Sequence, residues 1–263
     1  MMTQILELFK QRINLKVATS CILSLALVVT PAALADFKPP PDEKTADADT
    51  RTSSGTTRGC EGEDIPLTVL ASRNNVGRTT STHPTFAWFV PDDSKSLKLE
   101  FMIYKHGSDG NFTEEVLSMS FQSSPGIMKL SPFPEGEPGL EVGKEYLWQV
   151  VIWCDSSSPS SAVVDGANIE VVEMPPALQS KLDNAVDSAE KADLYAEAGI
   201  WYNALDEALK PAEESKLGEV AAALLEDLAK FEKPEASQEL TPDEREWIEK
   251  RMEYLKEIIN LSR

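Results

Sequence analysis

The stretch that decides the fold runs from Glu145 to Cys154 and reads EYLWQVVIWC. Its large apolar side chains recur at every second position, and the aligned set is Tyr146, Trp148, Val150, Ile152 and Cys154. Successive side chains of a β-strand point to opposite faces of a sheet, so this spacing places the whole set on one face. We therefore predict a strand with one buried face, in which Tyr146 and Trp148 are core residues.

Four shorter stretches repeat the same period of two. They read LTVLA from Leu67, PTFAWFV from Pro84, LKLEFMIY from Leu97 and NIEVV from Asn168. Turn-forming sequences such as PDDS, SDGN and SSSPSS separate the stretches. Residues 59–174 are thus predicted to form an antiparallel β-sandwich of roughly six or seven strands.

The apolar residues of the remaining chain, 175–263, recur every three or four positions, as on one face of a helix. One such stripe consists of Leu178, Leu182, Val186, Ala189 and Ala196. Thr241, Pro242 and Glu244 mark the start of the last helix, because they combine a capping box with a proline in the first turn. We predict about four helices here. The fold class is then α+β by segments, a sandwich followed by a C-terminal helical region.

The chain opens with the pattern of a signal peptide. Basic residues precede an apolar run, Val17–Thr30, of about 14 residues, which is shorter than the ~20 that a membrane-spanning helix needs. Ala33 and Ala35 then supply the small residues of a signal-peptidase site. We expect residues 1–35 to be removed, so that the mature chain begins at Asp36 and has no membrane span. The alternative is a single membrane anchor.

The segment that follows, 36–58, is polar and rich in Pro, Thr, Ser and Asp. It has too little apolar surface to order itself and is predicted to be a disordered leader. The whole chain carries 25 Lys and Arg against 44 Asp and Glu, a net charge of −19 at pH 7. Such a surface repels nucleic acids and anionic lipids, which argues against a nucleic-acid-binding function.

Removal of the signal peptide would leave two cysteines, Cys60 and Cys154. An even pair in an exported chain predicts one disulfide bond between them. The alternative is a pair of buried, unpaired thiols.

Two local patterns are similar to known modules. In LEVGKEYLWQV, the residues Leu140, Gly143 and Tyr146 match the turn before a late strand of a fibronectin III or immunoglobulin-like domain. Trp88 in FAWFVP is similar to the core tryptophan of an early strand in such sandwiches. AGIWYNALDEAL, which starts at Ala198, looks like half of a tetratricopeptide repeat. No second copy follows, so we expect an isolated helical hairpin of related packing.

Taken together, the chain resembles a family of exported cyanobacterial proteins described as domain of unknown function 928. The combination that carries the resemblance is a polar leader, RGC ending at Cys60, HPTFAWFVP from His83, LEVGKEYLWQVVIWC ending at Cys154, and YAEAGIWYNAL from Tyr195. The resemblance implies a fold and a compartment, and it implies no activity.

Few residues suit catalysis or metal binding. The two histidines, His83 and His106, fall in turn regions with no partner at ligand spacing, and both mature cysteines are assigned to the disulfide. We predict no catalytic residue, no metal ligand and no cofactor. A carboxylate pair of the kind that glycoside hydrolysis requires is the distant alternative.

The sequence therefore predicts an exported, non-catalytic interaction or envelope-scaffold module, located in the periplasm or outside the cell. Its expected partner is another envelope or secreted protein. A carbohydrate- or polymer-binding domain that uses Trp153 or Trp201 is the alternative. Between the helical aromatics, we predict that Trp201 packs in the core and that Tyr202, like Trp153, is a candidate for partner binding.

Overall fold

The computed structural model describes residues 37–40, 44–46, 60, 64–91, 96–107, 112–155, 161–233 and 241–263. The predicted signal peptide and its cleavage site at Ala33, Ala35 and Asp36 lie outside these residues.

Two sheets pack into a sandwich, which confirms the fold class predicted from the sequence. Eight strands occur in the described ranges: β1 Thr68–Val69, β2 Gly77–Thr79, β3 Phe86–Val90, β4 Lys98–His106, β5 Phe112–Gln122, β6 Gly126–Leu130, β7 Glu145–Trp153 and β8 Ala162–Val171. One sheet has the order β1-β3-β6 and the other the order β2-β8-β7-β4-β5. All pairs are antiparallel except β2 with β8. The prediction of roughly six or seven strands was too low, because β2, β5 and β6 lack a clear apolar alternation.

The strand β7 lies in the middle of the larger sheet, between β4 and β8. Trp148 on β7 is fully buried, and its ring centroid lies 5.0 Å from that of Phe86 on the opposite sheet. The hydroxyl of Tyr146 accepts a hydrogen bond of 2.9 Å from the backbone N–H of Glu141, at the turn that precedes β7. This bond fixes the turn in the way a corner tyrosine does in immunoglobulin-like sandwiches.

Five helices follow the sandwich: α1 Pro176–Leu182, α2 Ser188–Glu197, α3 Trp201–Leu209, α4 Gly218–Phe231 and α5 Pro242–Ser262. The predicted number, about four, was too low, because the apolar stripe through Val186 is not one continuous helix. Val186 is 86% exposed in the loop after α1, and Asp187 caps the start of α2 by accepting a bond from the Glu190 N–H. The capping box of Thr241 and Glu244 is present at the start of α5.

The helices and the sandwich share one hydrophobic core. Trp201 and Leu205 of α3, Leu225 of α4 and Leu255 of α5 belong to the same buried cluster as Trp148. The segments 59–174 and 175–263 are therefore packed together over their apolar faces. Within the described residues, none of the helices is long and apolar enough to cross a membrane.

The prediction of a disordered leader is wrong for the parts of 36–58 that the structure describes at 37–40 and 44–46. The ring of Phe37 packs edge-on against that of Trp201, with the centroids 5.1 Å apart, and Ala46 is 2% exposed. The few apolar side chains of this polar segment find partners on the folded body, which composition alone does not reveal.

The predicted disulfide is confirmed. Cys60 and Cys154 are bonded, with their Cα atoms 5.4 Å apart and a separation of 94 positions in sequence. Cys154 directly follows β7, so the bond attaches the chain before β1 to the end of the central strand.

Candidate functional site

An open groove with an apolar floor lies between α4 and α5. Its volume is about 520 Å³, which falls in the range of about 300–1,000 Å³ typical of ligand pockets. Buried Ala229 and Ile259 and half-buried Met252 form its floor. Within α4, Ala229 and Lys230 lie three and four positions after Glu226, as expected for one face of a helix.

Exposed lysines surround this floor. Lys230 lies on α4, Lys233 lies just beyond the end of α4, and Lys256 lies on α5. Lys230 forms an ion pair of 2.8 Å with Asp227, whereas no ion pair of Lys233 or Lys256 is found in the part of the chain that the structure describes. The groove thus combines an apolar floor with positive charge, on a chain whose net charge is −19.

Trp201, which was predicted to belong to the core, is 2% exposed and lies at the start of α3. Its indole N–H donates a hydrogen bond of 3.0 Å to the backbone carbonyl of Leu70, just after β1. Because this bond crosses from the helices to the smaller sheet, Trp201 attaches α3 to the sandwich. Trp88, Tyr146 and Trp148, also predicted as core residues, are each at most 2% exposed.

The hypothesis that Tyr202 binds a partner needs correction, because its side chain is 1% exposed. Its hydroxyl accepts a bond of 2.7 Å from the indole N–H of Trp148 and donates one of 3.1 Å to the carbonyl of Asn168. Burial raises the pKa of the Tyr202 phenol above its ordinary value. Glycine is required opposite the ring, since a Cβ at Gly77 would lie 2.7 Å from the Tyr202 Cε2.

Trp153, the other candidate for binding, is half-buried at the end of β7. The ammonium of Lys98 lies 5.8 Å from the centre of its ring. Tyr104 is on the same outer face, but it pairs with Leu147, whereas Trp153 pairs with Lys98. At about 3.3 Å per residue the two aromatics are roughly 20 Å apart. They do not form the continuous aromatic row that a sugar-binding platform would need.

Four charged side chains that the sequence did not single out meet at the junction of sandwich and helices. Asp165 of β8 lies 2.9 Å from the guanidinium of Arg73 and 3.6 Å from that of Arg251. Arg251 of α5 also pairs with Glu232 at 2.8 Å. All four are at most 5% exposed. Burial lowers the pKa of Arg73, and the neighbouring Asp165 opposes this shift.

Backbone groups complete this buried cluster. Arg251 donates to the carbonyls of Val69 and Ala71 at 3.0 and 2.7 Å, and Asp165 accepts from the Val69 N–H at 2.8 Å. Such bonds offset the large cost of removing charges from water. One signal in the sequence pointed to the cluster, because Arg251 lies on the buried stripe of α5 with Ile248 and Leu255.

The cluster does not have the form of a hydrolase site. The two buried carboxylates, Asp165 and Glu232, are each paired with an arginine. The adjoining cavity has a volume of about 30 Å³, which is room for about two water molecules. It would not admit a sugar ring. These residues hold the helices on the sandwich.

The histidines lie in structural positions. The two ring nitrogens of His83 are 2.9 Å from the Thr82 hydroxyl and 2.9 Å from the Glu137 carbonyl, and the ring of His106 packs against Phe112. Among the described residues, no group of three His, Cys, Asp or Glu side chains is placed to hold a metal ion.

Comparison with known proteins gives a family and slight structural likenesses, including the following two. The family described as Domain of Unknown Function (DUF928) matches residues 53–237. The third fibronectin III domain of the human KIAA0343 protein is 18% identical with a TM-score of 0.25, over 46% of this chain and 95% of that domain. A β-glucuronidase of Parabacteroides merdae is 11% identical with a TM-score of 0.20, over 64% of this chain and 26% of the enzyme. No curated protein matches significantly. The fold assignment rests on the strand order, because both scores are low.

Proposed function

The chain belongs to the family described as Domain of Unknown Function (DUF928), and we propose that it works as an exported, non-catalytic module for protein–protein interaction. Its docking surface is the groove between α4 and α5. The occupant is an acidic, amphipathic helical segment of another envelope or secreted protein. The groove is the observation on which this proposal rests.

The shape and charge of the groove support this class of partner. A helix that lies in a groove places apolar side chains on the floor at intervals of three and four residues. Met252, Ala229 and Ile259 offer such a floor. Lys233 and Lys256, on opposite sides, would attract carboxylates on the rest of the helix, and acidic side chains are repelled from most of the surrounding surface. The groove is therefore the place where an acidic segment meets least repulsion.

The buried charged cluster supports the proposal that the module is not an enzyme, because its carboxylates are paired with arginines and are not free to act as in a hydrolase. The buried carboxylates of Asp165 and Glu232 are neutralised by Arg73 and Arg251, beside a cavity with room for about two water molecules. Export is supported by the signal-peptide pattern of residues 1–35 and by the Cys60–Cys154 bond, because structural disulfides persist mainly outside the reducing cytosol.

Titration with a defined peptide tests the docking surface. The probe is a synthetic helical peptide with leucine at every third or fourth position and glutamate between them, and the reporter is the methyl NMR signal of Met252. We expect the Met252 signal to shift on binding and the affinity to fall as salt is added, because exposed charges are screened. A peptide with lysine in place of glutamate should bind far more weakly.

Two double variants test whether the lysines at the groove attract the peptide. Lys233→Glu combined with Lys256→Glu should lower the affinity by about tenfold, since two attractions become repulsions. Lys144→Glu combined with Lys181→Glu changes the net charge equally at exposed positions away from the groove and should leave the affinity nearly unchanged. Equal weakening by both pairs, or equal affinity for the lysine peptide, would refute the proposal.

A further inference from the structure

We propose that the cleft formed by α2, α3, α4 and the chain before β2 is a peptide-binding site, and that residues 37–40 and 44–46, called the strap below, occupy it. The ligand class is an extended peptide with a phenylalanine near its amino end, followed by a lysine and prolines. This site is separate from the groove between α4 and α5 and does not depend on the function proposed for it.

Phe37 is the anchor of the strap. Its ring packs edge-on against Trp201 and Phe231, with centroid distances of 5.1 and 5.7 Å. Its backbone N–H donates a hydrogen bond of 3.0 Å to the carboxylate of Asp227 on α4. With Phe37 in place, the cleft retains a void of about 10 Å³, which is too small for another side chain. The cleft therefore fits an aromatic side chain at this point.

The strap is otherwise held through its backbone. Lys38 donates its N–H to the carbonyl of Ala196 at the end of α2, at 3.1 Å. Further on, Thr45 forms an antiparallel bridge with Asn75, flanked by two backbone bonds of 2.9 Å. An extended peptide that pairs with an exposed edge and places one side chain in a pocket is a recurring mode of peptide recognition.

Gly199 shapes the cleft for the strap. Its φ of +72° belongs to the left-handed region, and a Cβ at this position would lie 2.9 Å from both the Lys38 carbonyl oxygen and the Pro40 Cδ. Any other residue would thus strain the turn between α2 and α3 and also push the strap away. Both the turn between α2 and α3 and the close approach of the strap therefore require glycine at position 199.

The connection of the strap to the body resembles that of a tethered ligand. The backbone partners of the described strap residues begin at Asn74, and Asp227 is 190 positions from Phe37 in sequence. Between the strap and Cys60 the sequence DADTRTSSGTTRG, residues 47–59, has no apolar side chain larger than that of Ala48. If residues 1–35 are removed as proposed, Phe37 becomes the second residue of the chain and the strap becomes a terminal arm.

Cutting the tether of the folded protein tests this proposal. A protease recognition sequence is inserted after Ser54 in the full chain, the protein is purified in its folded state, cut, and passed through a sizing column. We expect the cut strap to elute with the body. We also expect a labelled synthetic peptide of residues 36–46 to exchange with it, and a peptide with alanine at the phenylalanine position to fail.

Two variants and one control test whether the contacts of Phe37 retain the strap. Phe37→Ala should weaken retention of the strap by about tenfold, because full burial of a phenylalanine contributes roughly 1.5–3 kcal/mol, Phe37 is partly buried, and 1.4 kcal/mol is tenfold. Asp227→Ala should also weaken retention, through loss of the bond to the Phe37 N–H, and it leaves the strap sequence intact. Pro39→Ala, at an exposed position, is the matched control and should retain the strap. Release of the unaltered strap on cutting, or equal retention by Phe37→Ala, would overturn the proposal.

Discussion

Replacement of Trp201 by alanine is the most informative perturbation of this fold. The side chain is 2% exposed and bonds to the Leu70 carbonyl of the smaller sheet. Truncation of a buried tryptophan costs about 3–5 kcal/mol, a range that includes the cavity left behind. The Leu70 carbonyl also loses its partner, which adds roughly 1–3 kcal/mol unless water enters. We therefore expect the free energy of unfolding to fall by about 4 kcal/mol or more.

Thermal unfolding followed by circular dichroism measures this loss. For a chain of this size each kcal/mol shifts the melting temperature by about 2–4 °C, so Trp201→Ala should melt roughly 8–16 °C lower than the parent. Trp201→Phe keeps most of the ring but lacks the N–H donor, and it should lose only part of this stability. Val186→Ala, at a position 86% exposed, should stay within about 0.5 kcal/mol of the parent. An unchanged melting curve for Trp201→Ala would refute the reasoning and make Trp201 a candidate for binding.

Reduction of the Cys60–Cys154 bond should lower the free energy of unfolding by about 4–5 kcal/mol, the chain-entropy value for a loop of this length, and two freely alkylated thiols in the native protein would contradict it. Stability should also fall as the pH rises above about 10, because the unfolded Tyr202 phenol releases a proton that the folded phenol, with its raised pKa, retains. Urea unfolding of Tyr202→Phe should show a shallower decline over the same pH range, and an equally steep one would exclude Tyr202 as the cause. Intact-mass measurement of the native protein should give a chain that begins at Asp36, whereas retention of residues 1–35 would disprove cleavage.

The alternation of apolar side chains was sufficient to predict the central strands. β4 has one face in the core, so burial imposes a period of two on its sequence. β7 has the same alternation of large core side chains, although Leu147 and Val151 on its other face are buried as well. β5 pairs only with β4, at the edge of the sheet, and Glu114, Glu115 and Val116 are exposed in succession. Because most of this edge strand is exposed to solvent, burial does not impose alternation on it. Its sequence FTEEVLSMSFQ therefore shows no clear alternation of apolar and polar residues.

The buried charges could not be predicted, because the four residues are distant in sequence and meet only through tertiary packing. Charged residues usually face water, so Glu232 gave no reason to expect burial, and the position of Arg251 on the stripe of Ile248 and Leu255 was the one signal. The lysines beside the groove were visible in the sequence, but their position around an apolar floor depends on how α4 and α5 pack. Trp201 was placed correctly because a helix that covers a sheet needs an apolar anchor.

The bond between the Trp148 indole and the Tyr202 phenol has a consequence for how this protein can change over evolutionary time. A gene segment that ends at residue 174 would encode a sandwich in which the Trp148 N–H and the Leu70 carbonyl have both lost their partners. The rings of Phe86 and Trp148 would also lose their contact with the ring of Tyr202. Recombination that separates the strands from the helices would therefore yield two unstable products, and the two segments must be inherited together.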